Sequence, residues 1–320
     1  MNTRRLTLML AALVAAMAFS MLAGKVWLPA QAWSPADPRW LIIIELRLPR
    51  TILAAIVGAG LGLSGAAMQG YLRNPLADPG LFGVSAAAAL GAVVSMFFGF
   101  TLFWLLPAFA LAGAAAAMAL LALLVGRSGS MIVFTLGGVI IASIAGSLTA
   151  LVISLAPTPY ATSQIITWLM GALTDRSWAD VWIALPLTAA GMALLALTGP
   201  SLDALTLGEP AARSMGVDPA RLQRLIVVGV GLCVGAAVAA AGVIGFVGLM
   251  VPHLVRPFAG HRPSAVLLPS AIGGALLLVL ADSLVRIAPT VSELRLGIAM
   301  SMLGGPFFLV LLLRLRRTLP

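Results

Sequence analysis

Residues that could carry out chemistry are few in this sequence and do not form groups. There is a single cysteine, Cys233, and there are two histidines, His253 and His261. Cys233 lies in an apolar run and has no partner for a disulfide, so we interpret it as a small buried residue. Two histidines without a neighbouring carboxylate are too few to hold a metal ion. The sequence also lacks a nucleophile–base pair, an HExxH motif and a phosphate-binding glycine loop. It therefore predicts a protein that is not an enzyme and that binds no metal or cofactor.

The composition places the chain in a membrane. Hydrophobic residues make up 61% of it and charged residues 9%, and the mean hydropathy is +1.10. A soluble domain carries about 25% charged residues. The net charge of +9 comes from basic residues scattered singly between apolar runs. That pattern is typical of membrane loops and excludes a nucleic-acid partner, which would need a continuous basic face.

A membrane-spanning helix needs about 20 apolar residues. Ten runs approach or exceed this length: 6–28, 51–71, 80–100, 103–125, 132–155, 180–199, 222–243, 244–258, 265–285 and 296–314. We predict an all-α polytopic membrane protein, with residues 1–320 forming one transmembrane domain. The first run is too long for the core of a signal peptide, so we interpret it as a retained helix with a cytoplasmic N-terminus. Ten spans place both termini in the cytoplasm and twelve of the 19 basic residues on the inner side.

The segment 69–85, "QGYLRNPLADPGLFGVS", concentrates polar and helix-breaking residues between two apolar runs. Pro75 and Pro79 should end helices there, and Asn74 and Asp78 can cap the backbone groups that are freed. We predict that this segment is the inner turn between the second and third spans.

Two helix starts carry capping signals. Ser177 with Asp180 three residues later forms a capping box for the sixth span. Asp218 followed by Pro219 is typical of an N-cap and first helical position, here for the seventh span.

Ionisable residues are missing from the middle of the predicted spans. Asp282 comes closest, but it lies near an outer helix end with Arg286 one turn later. Carriers driven by ion gradients usually have such residues near the bilayer midplane. The pattern therefore favours either a passive channel or a membrane subunit that takes energy from a partner. The inner loop Leu202–Arg224 should carry a short helix of about six residues, delimited by Pro210 and Gly216 and bearing Glu209 and Arg213. This helix either covers the surface or fits a groove of that partner.

The chain resembles the FecCD-type permeases of bacterial ABC importers for iron–siderophores, haem and vitamin B12. The resemblance extends over nearly the whole chain, with the motifs in the family's order. They are "LRLPR" (46–50), "GLSGAAMQGYLRNPLADPGLFGVS" (62–85), "WLMGAL" (168–173), "LTLGEPAARSMGV" (205–217), "GVIGFVGLMVPHLVRPF" (242–258), "LLPSA" (267–271), "LADSLVR" (280–286) and "ELRLGIAMSMLGGPFF" (293–308).

The resemblance implies the vitamin B12 importer-like permease fold, in which helices two to five and seven to ten form an inverted repeat. It also implies a homodimer in the bacterial inner membrane with the pathway at its centre. Two cytoplasmic ATPase subunits, which bind ATP and Mg²⁺, and a periplasmic substrate-binding protein would complete the importer. This chain would itself bind no cofactor.

Three outer arginines match family positions that pair with glutamates of the binding protein. They are Arg47, Arg50 and Arg286. The alternative is that they anchor helix ends at lipid headgroups. Arg295 is a weaker docking candidate, and Glu45 and Glu293 could be local partners of these arginines.

The same resemblance assigns a coupling helix, which seats in the ATPase dimer, within a cytoplasmic loop at about 202–221. Its residues are Gly208, Glu209, Arg213 and Gly216. The fifth span and its inner start would line the pathway and form the gate, where the polar groups are Ser128, Ser130, Ser143 and Ser147. The alternative is that these serines only bond the backbone of their own helix. Arg73 should lie near the ATPase face, and His253 matches a position to which we assign a structural role.

We therefore expect the permease subunit of an ATP-driven importer for a ferric chelate. Haem and cobalamin are the alternative substrates, because this family leaves most selectivity to the binding protein. A carrier or channel that acts alone is the alternative of a different class.

Overall fold

The computed structural model describes residues 3–100, 102, 104–126, 131–290 and 293–318. Thirteen α-helices and no strand are found in these ranges. The helices are α1 Thr3–Leu22, α2 Leu48–Tyr71, α3 Val84–Phe97, α4 Leu105–Val125, α5 Met131–Ser154, α6 Pro159–Leu169, α7 Trp178–Ala196, α8 Gly199–Leu205, α9 Glu209–Ser214, α10 Pro219–Ala241, α11 Val247–Ala259, α12 Pro263–Ile287 and α13 Leu296–Thr318.

Each of the ten predicted spans corresponds to one of these helices, so the all-α polytopic fold is confirmed. Eight helices in the described ranges are long and apolar enough to cross a bilayer. The other two, α3 and α11, have only 14 and 13 residues. They cover about two thirds of the length that a full span requires.

The second span is longer than predicted. A π-helical turn, Ile42–Arg47, continues directly into α2, so that one helix of 30 residues runs from Ile42 to Tyr71. The prediction began this span at residue 51, because the charges of Glu45, Arg47 and Arg50 interrupt the apolar run. The helix continues because internal partners within the bundle satisfy the two arginines, as described below.

The predicted helix starts are confirmed. Ser177 and Asp180 form the capping box of α7, and the Asp218 carboxylate accepts the backbone N–H of Ala220 at 2.9 Å. Two short helices were not predicted as separate elements. They are α6, which Thr158 caps, and α8, which occupies the start of the predicted coupling loop and buries Leu202.

The two helices that are too short to span the bilayer, α3 and α11, begin in the same unusual way. The residue before each has a left-handed conformation: Gly83 has φ 76° and ψ −11°, and Phe246 has φ 68° and ψ −18°. A positive φ is uncommon for a residue such as phenylalanine, so this shared conformation is a distinctive feature of the two helix starts. It relates the second helix of one half of the bundle to the second helix of the other half, as expected for two repeats.

The long helix α2 lies at the centre of the bundle and packs closely on α12. A Cβ atom on Gly58 would lie 2.2 Å from the carbonyl oxygen of Gly274, and one on Gly62 would lie 2.2 Å from that of Ser270. Small residues at four-residue spacing permit such backbone contact in membrane bundles. This contact brings the N-terminal end of α2 and the C-terminal end of α12 together, and the charged residues of both helices meet there.

Candidate functional site

The N-terminal end of α2 and the C-terminal end of α12 carry a buried ion-pair cluster centred on Asp282, which is 1% exposed. Arg50 donates from Nε to both Asp282 carboxylate oxygens, at 3.0 and 3.1 Å, and from Nη2 to Oδ1 at 2.8 Å. Its Nη1 donates to Glu293 Oε2 at 3.0 Å. Arg50 therefore joins two carboxylates that follow it by more than 230 positions in the sequence.

Arg286 completes the cluster from the next turn of α12. Its Nε lies 3.1 Å from Asp282 Oδ2, and its Nη2 donates to the Ser20 hydroxyl of α1. Ser20 in turn shares a hydrogen bond of 2.7 Å with Thr51. The cluster thus connects α1, α2 and α12.

Arg47 binds the end of α1 through backbone carbonyls. Its Nη1 donates to the carbonyls of Met21 and Leu22 at 2.9 and 2.7 Å, and its Nη2 donates to that of Val26 at 2.7 Å. The last carbonyls of a helix lack intrahelical donors, so a guanidinium there satisfies them.

The structure therefore brings together the three arginines that were predicted to dock a binding protein, but it does not leave them at an open rim. Arg50 and Arg286 are 8% and 4% exposed, and both are ion-paired within the chain. Docking by these residues stays a prediction. The predicted local partnership is found for Glu293, which pairs with Arg50.

Glu293 extends the cluster to the loop before α7, because Thr174 donates to its Oε2 at 2.9 Å. Burial alone would raise the pKa of the Glu293 carboxyl, but the charge of Arg50 and the hydrogen bonds from Thr174 and Arg50 outweigh burial and lower that pKa. Glu293 is thus held in its ionised form.

A separate polar cavity of about 440 Å³ opens beside this loop at the same end of the bundle. Arg176, Arg295 and Tyr160 are among its lining residues. Burial lowers the pKa of the Arg176 guanidinium, while Asp180 and Asp175 act in the opposite direction. Arg295 thus lines a cavity and is not part of the buried cluster.

At the opposite end, the predicted coupling helix is α9, and it has six residues as expected. Gly208 and Gly216 flank it with φ values of 96° and 87°, which a residue with a Cβ atom adopts only with strain. Glu209 and Arg213 form an exposed pair at 3.8 Å.

The buried side of α9 is anchored to the bundle. Ala212 is 1% exposed, and the inner surface of the helix meets Tyr71 of α2 and Leu222 of α10 with almost no space between them. Leu207 and Met215, at the two ends of the helix, are exposed. The helix is therefore a small protrusion with an apolar and charged outer surface.

The polar segment 69–85, which leads into α3, also contacts the start of α11. Asp78 Oδ1 accepts the backbone N–H of Gly80 at 2.7 Å, and the carboxylate also accepts the backbone N–H of Leu249 in the first turn of α11. Gln69 donates to the carbonyls of Gly248 and Leu249 at 3.3 and 3.2 Å. Asp78 thus caps as predicted, and it also satisfies a free amide of a distant helix.

Of the predicted gate serines, Ser128 and Ser130 lie outside the described residues. Ser143 and Ser147 are exposed on one face of α5, one turn apart. The Ser143 hydroxyl donates to the carbonyl of Val139 at 2.9 Å. Both serines are accessible on this single chain, and their role in a pathway stays a prediction.

The remaining chemistry-bearing residues lie within packed regions. Cys233 is fully buried, as predicted. The ring of His253 packs edge-on against Phe307, with ring centroids 5.8 Å apart. No group of three metal-ligating side chains occurs among the described residues.

The sequence model of the FecCD transport family matches residues 10–314. The chain belongs to the FecCD transport family. It is 41% identical over 289 residues to an ABC transporter permease protein, YvrB, of Bacillus subtilis, covering 88% of this chain and 81% of that one. It is 35% identical over 319 residues to the vitamin B12 import system permease protein BtuC of Citrobacter koseri, covering 99% and 96%.

A solved structure gives the same result for the fold. An inward-facing metal-chelate type ABC transporter superposes with a TM-score of 0.90 at 30% identity, over 98% of this chain and all of that one. The chain is therefore a multi-pass ABC importer permease of the FecCD and BtuC type. It is a transport subunit, and ATP hydrolysis belongs to a separate subunit.

Proposed function

We propose that this chain forms a homodimeric permease that moves a bulky metal chelate from the periplasm to the cytoplasm, powered by two cytoplasmic ATPase subunits. A periplasmic binding protein would deliver the substrate. Our first candidate substrate is a ferric siderophore.

The observation that carries this proposal is the geometry of α9. A six-residue helix that is anchored to the bundle on one side and flanked by two positive-φ glycines is not an independently folding unit. It can therefore transmit force from a partner to the bundle. Its outer surface offers Leu207, Met215 and the Glu209–Arg213 pair. These features suit a groove in a partner that moves during ATP hydrolysis.

The charge distribution supports ATP as the energy source. The buried carboxylate of Asp282 is paired with Arg50 and Arg286 at one end of the bundle. A carboxylate whose two oxygens are both in contact with guanidinium groups is a poor site for a transported proton or sodium ion, because no oxygen is left free to bind it.

Cobalamin is the second candidate, and one specific observation favours it. Several of the curated relatives at 35–36% identity are vitamin B12 import system permeases. The similar solved structure is of a metal-chelate type ABC transporter, which is compatible with a ferric siderophore and with cobalamin. Haem remains the third alternative.

The proposed orientation places both termini, α9 and segment 69–85 in the cytoplasm, and the Asp282 cluster on the periplasmic side. The proposed pathway lies along the exposed face of α5, where Ser143 and Ser147 would meet the second copy. Arg47, Arg50 and Arg286 would take part in docking only where their remaining N–H groups reach the surface.

The test is uptake into proteoliposomes that hold this chain, its ATPase and its binding protein. Labelled ferric siderophore, cobalamin and haem are offered separately, with internal ATP or with a proton gradient alone. We expect ATP-dependent accumulation of one ligand, and its loss in the Arg213→Glu variant. Arg4→Glu, an equal charge change at an exposed position of α1 outside the coupling loop, is the matched control and should retain uptake. Accumulation on the gradient without the ATPase would refute the proposal.

A further inference from the structure

A basic cavity lies at the end of the bundle that carries α9, and none of the roles described above uses it. Its volume is about 350 Å³, and it is bordered by the end of α2, by Thr206 after α8, by α11 and by the start of α12. Arg73, Arg256 and His261 line it. No acidic side chain is among the described residues that line the cavity.

Arg256 is held in a fixed orientation. Its Nη2 donates to Gln69 Oε1 at 2.7 Å, and the amide nitrogen of Gln69 is itself bound to the two α11 carbonyls described above. One N–H of the guanidinium therefore positions the group. Within the described part of the chain its other N–H groups have no acceptor.

Arg73 and His261 approach the same cavity from two different loops. Arg73 follows α2 with a backbone φ of 49°, and His261 lies between α11 and α12. Both side chains are exposed, and neither has an ion pair with a described residue. The nearest acid of this region, Asp203, is occupied because it accepts the backbone N–H and the hydroxyl of Ser264 at 2.9 and 2.6 Å.

Three nitrogen-donor side chains thus surround a cavity that lacks a counter-charge. Guanidinium groups present parallel N–H donors that match the oxygens of a phosphate, and several donors can bind one tetrahedral oxyanion together. A basic pocket between helix ends at the cytoplasmic membrane surface is a typical binding site for an anionic lipid headgroup. We propose that Arg73, Arg256 and His261 form a binding site for a phosphate-type oxyanion, supplied by a phospholipid headgroup or by free phosphate.

The full-length chain, delipidated in detergent, provides the test. Binding of dioctanoyl phosphatidylglycerol, of inorganic phosphate and of dioctanoylglycerol, which has the same acyl chains without phosphate, is measured by thermophoresis. We expect saturable binding of at least one phosphate-bearing probe and none of dioctanoylglycerol. Binding of phosphatidylglycerol alone identifies a headgroup site, and equal binding of inorganic phosphate identifies a site for the free anion.

Arg73→Gln and Arg256→Gln should each weaken that binding about tenfold, as the loss of one charge-assisted hydrogen bond predicts. Arg221→Gln, the matched control at an exposed position of the same end, should change it less than about twofold. The Arg73 variant keeps the test valid if Arg256→Gln unfolds the chain, because Arg73 is exposed. The circular dichroism of each variant monitors folding.

Three results would overturn the proposal. The first is the absence of saturable binding of both phosphate probes to the parent chain. The second is an equal loss of binding in the Arg221 control, which would indicate general attraction to a basic surface. The third is unchanged phosphatidylglycerol binding by Arg73→Gln together with lost ATPase association, which would assign the cavity to an acidic side chain of that partner.

Discussion

Replacing Asp282 with asparagine removes the negative charge at the centre of the buried ion-pair cluster while keeping the shape of the side chain. Arg50 retains Glu293, but Arg286, 4% exposed, loses the one acid with which it pairs in the described residues. Removing one partner of a buried ion pair costs about 3–5 kcal/mol, since a charge is left uncompensated in a low-dielectric site. At about 2 °C per kcal/mol for a chain of this size, a cost of about 4 kcal/mol lowers the melting temperature by about 8 °C.

Tryptophan fluorescence of the detergent-solubilised chain during heating measures this shift. Asp37→Asn is the matched control, because Asp37 also pairs with an arginine, Arg39 at 2.7 Å, but on an exposed loop. We expect the control to melt with the parent protein. A melting temperature of Asp282→Asn within about 2 °C of the parent would refute the reasoning, because it would mean that the buried arginines do not need the carboxylate.

Three further perturbations test other parts of the structure. Gly62→Leu should destabilise the chain by about 3 kcal/mol in thermal unfolding, because its Cβ would meet the α12 backbone, whereas Gly146→Ala, at a helical glycine with open space, should have no such effect. The lowered pKa of Glu293 means that its stabilising contribution is complete above pH 4.5, its ordinary value, and is lost as the pH falls through the lowered value. Glu293→Gln should therefore flatten the acid side of a melting-temperature profile, and an unchanged profile would contradict this pKa assignment. Ala212→Asp would bury a charge under α9, so ATP-driven uptake should fall by more than about tenfold while the helix content by circular dichroism stays constant.

Hydropathy predicted where the long helices lie because a lipid environment requires long apolar runs wherever a helix crosses it. Its failures occur where polar residues are satisfied inside the bundle. Residues 42–50 lie outside the predicted span, which begins at residue 51, yet they are helical. The guanidinium groups of Arg47 and Arg50 are hydrogen-bonded to carbonyls and carboxylates of other parts of the bundle.

The capping signals at Ser177 and Asp218 were visible because a cap and its helix are adjacent in the sequence. Asp78 illustrates the limit of that approach. Its bond to Gly80 could be expected from local spacing, but its bond to Leu249 joins residues that only the packed fold brings together. Asp282 was noticed beside Arg286 for the same reason, whereas its stronger partner, Arg50, was not.

The six-residue helix α9 shows how much a specific motif contributes. Pro210 and Gly216 were sufficient to predict its length, because proline favours a first turn and glycine a helix end. The anchoring of Ala212 on Tyr71 and Leu222 depends on α2 and α10, and no local pattern in the sequence indicates it.

The distance along the chain between Arg50 and Asp282 has a consequence for biosynthesis. The two residues are 232 positions apart. At about 5–20 residues per second, a ribosome needs roughly 12–46 s to add the carboxylate after the arginine. During that interval the guanidinium group of Arg50 lacks both of its carboxylate partners and can reach the headgroup region by extending along the helix. The contact between Arg50 and Asp282, which ties α2 to α12, can therefore form only after the last third of the chain has been inserted.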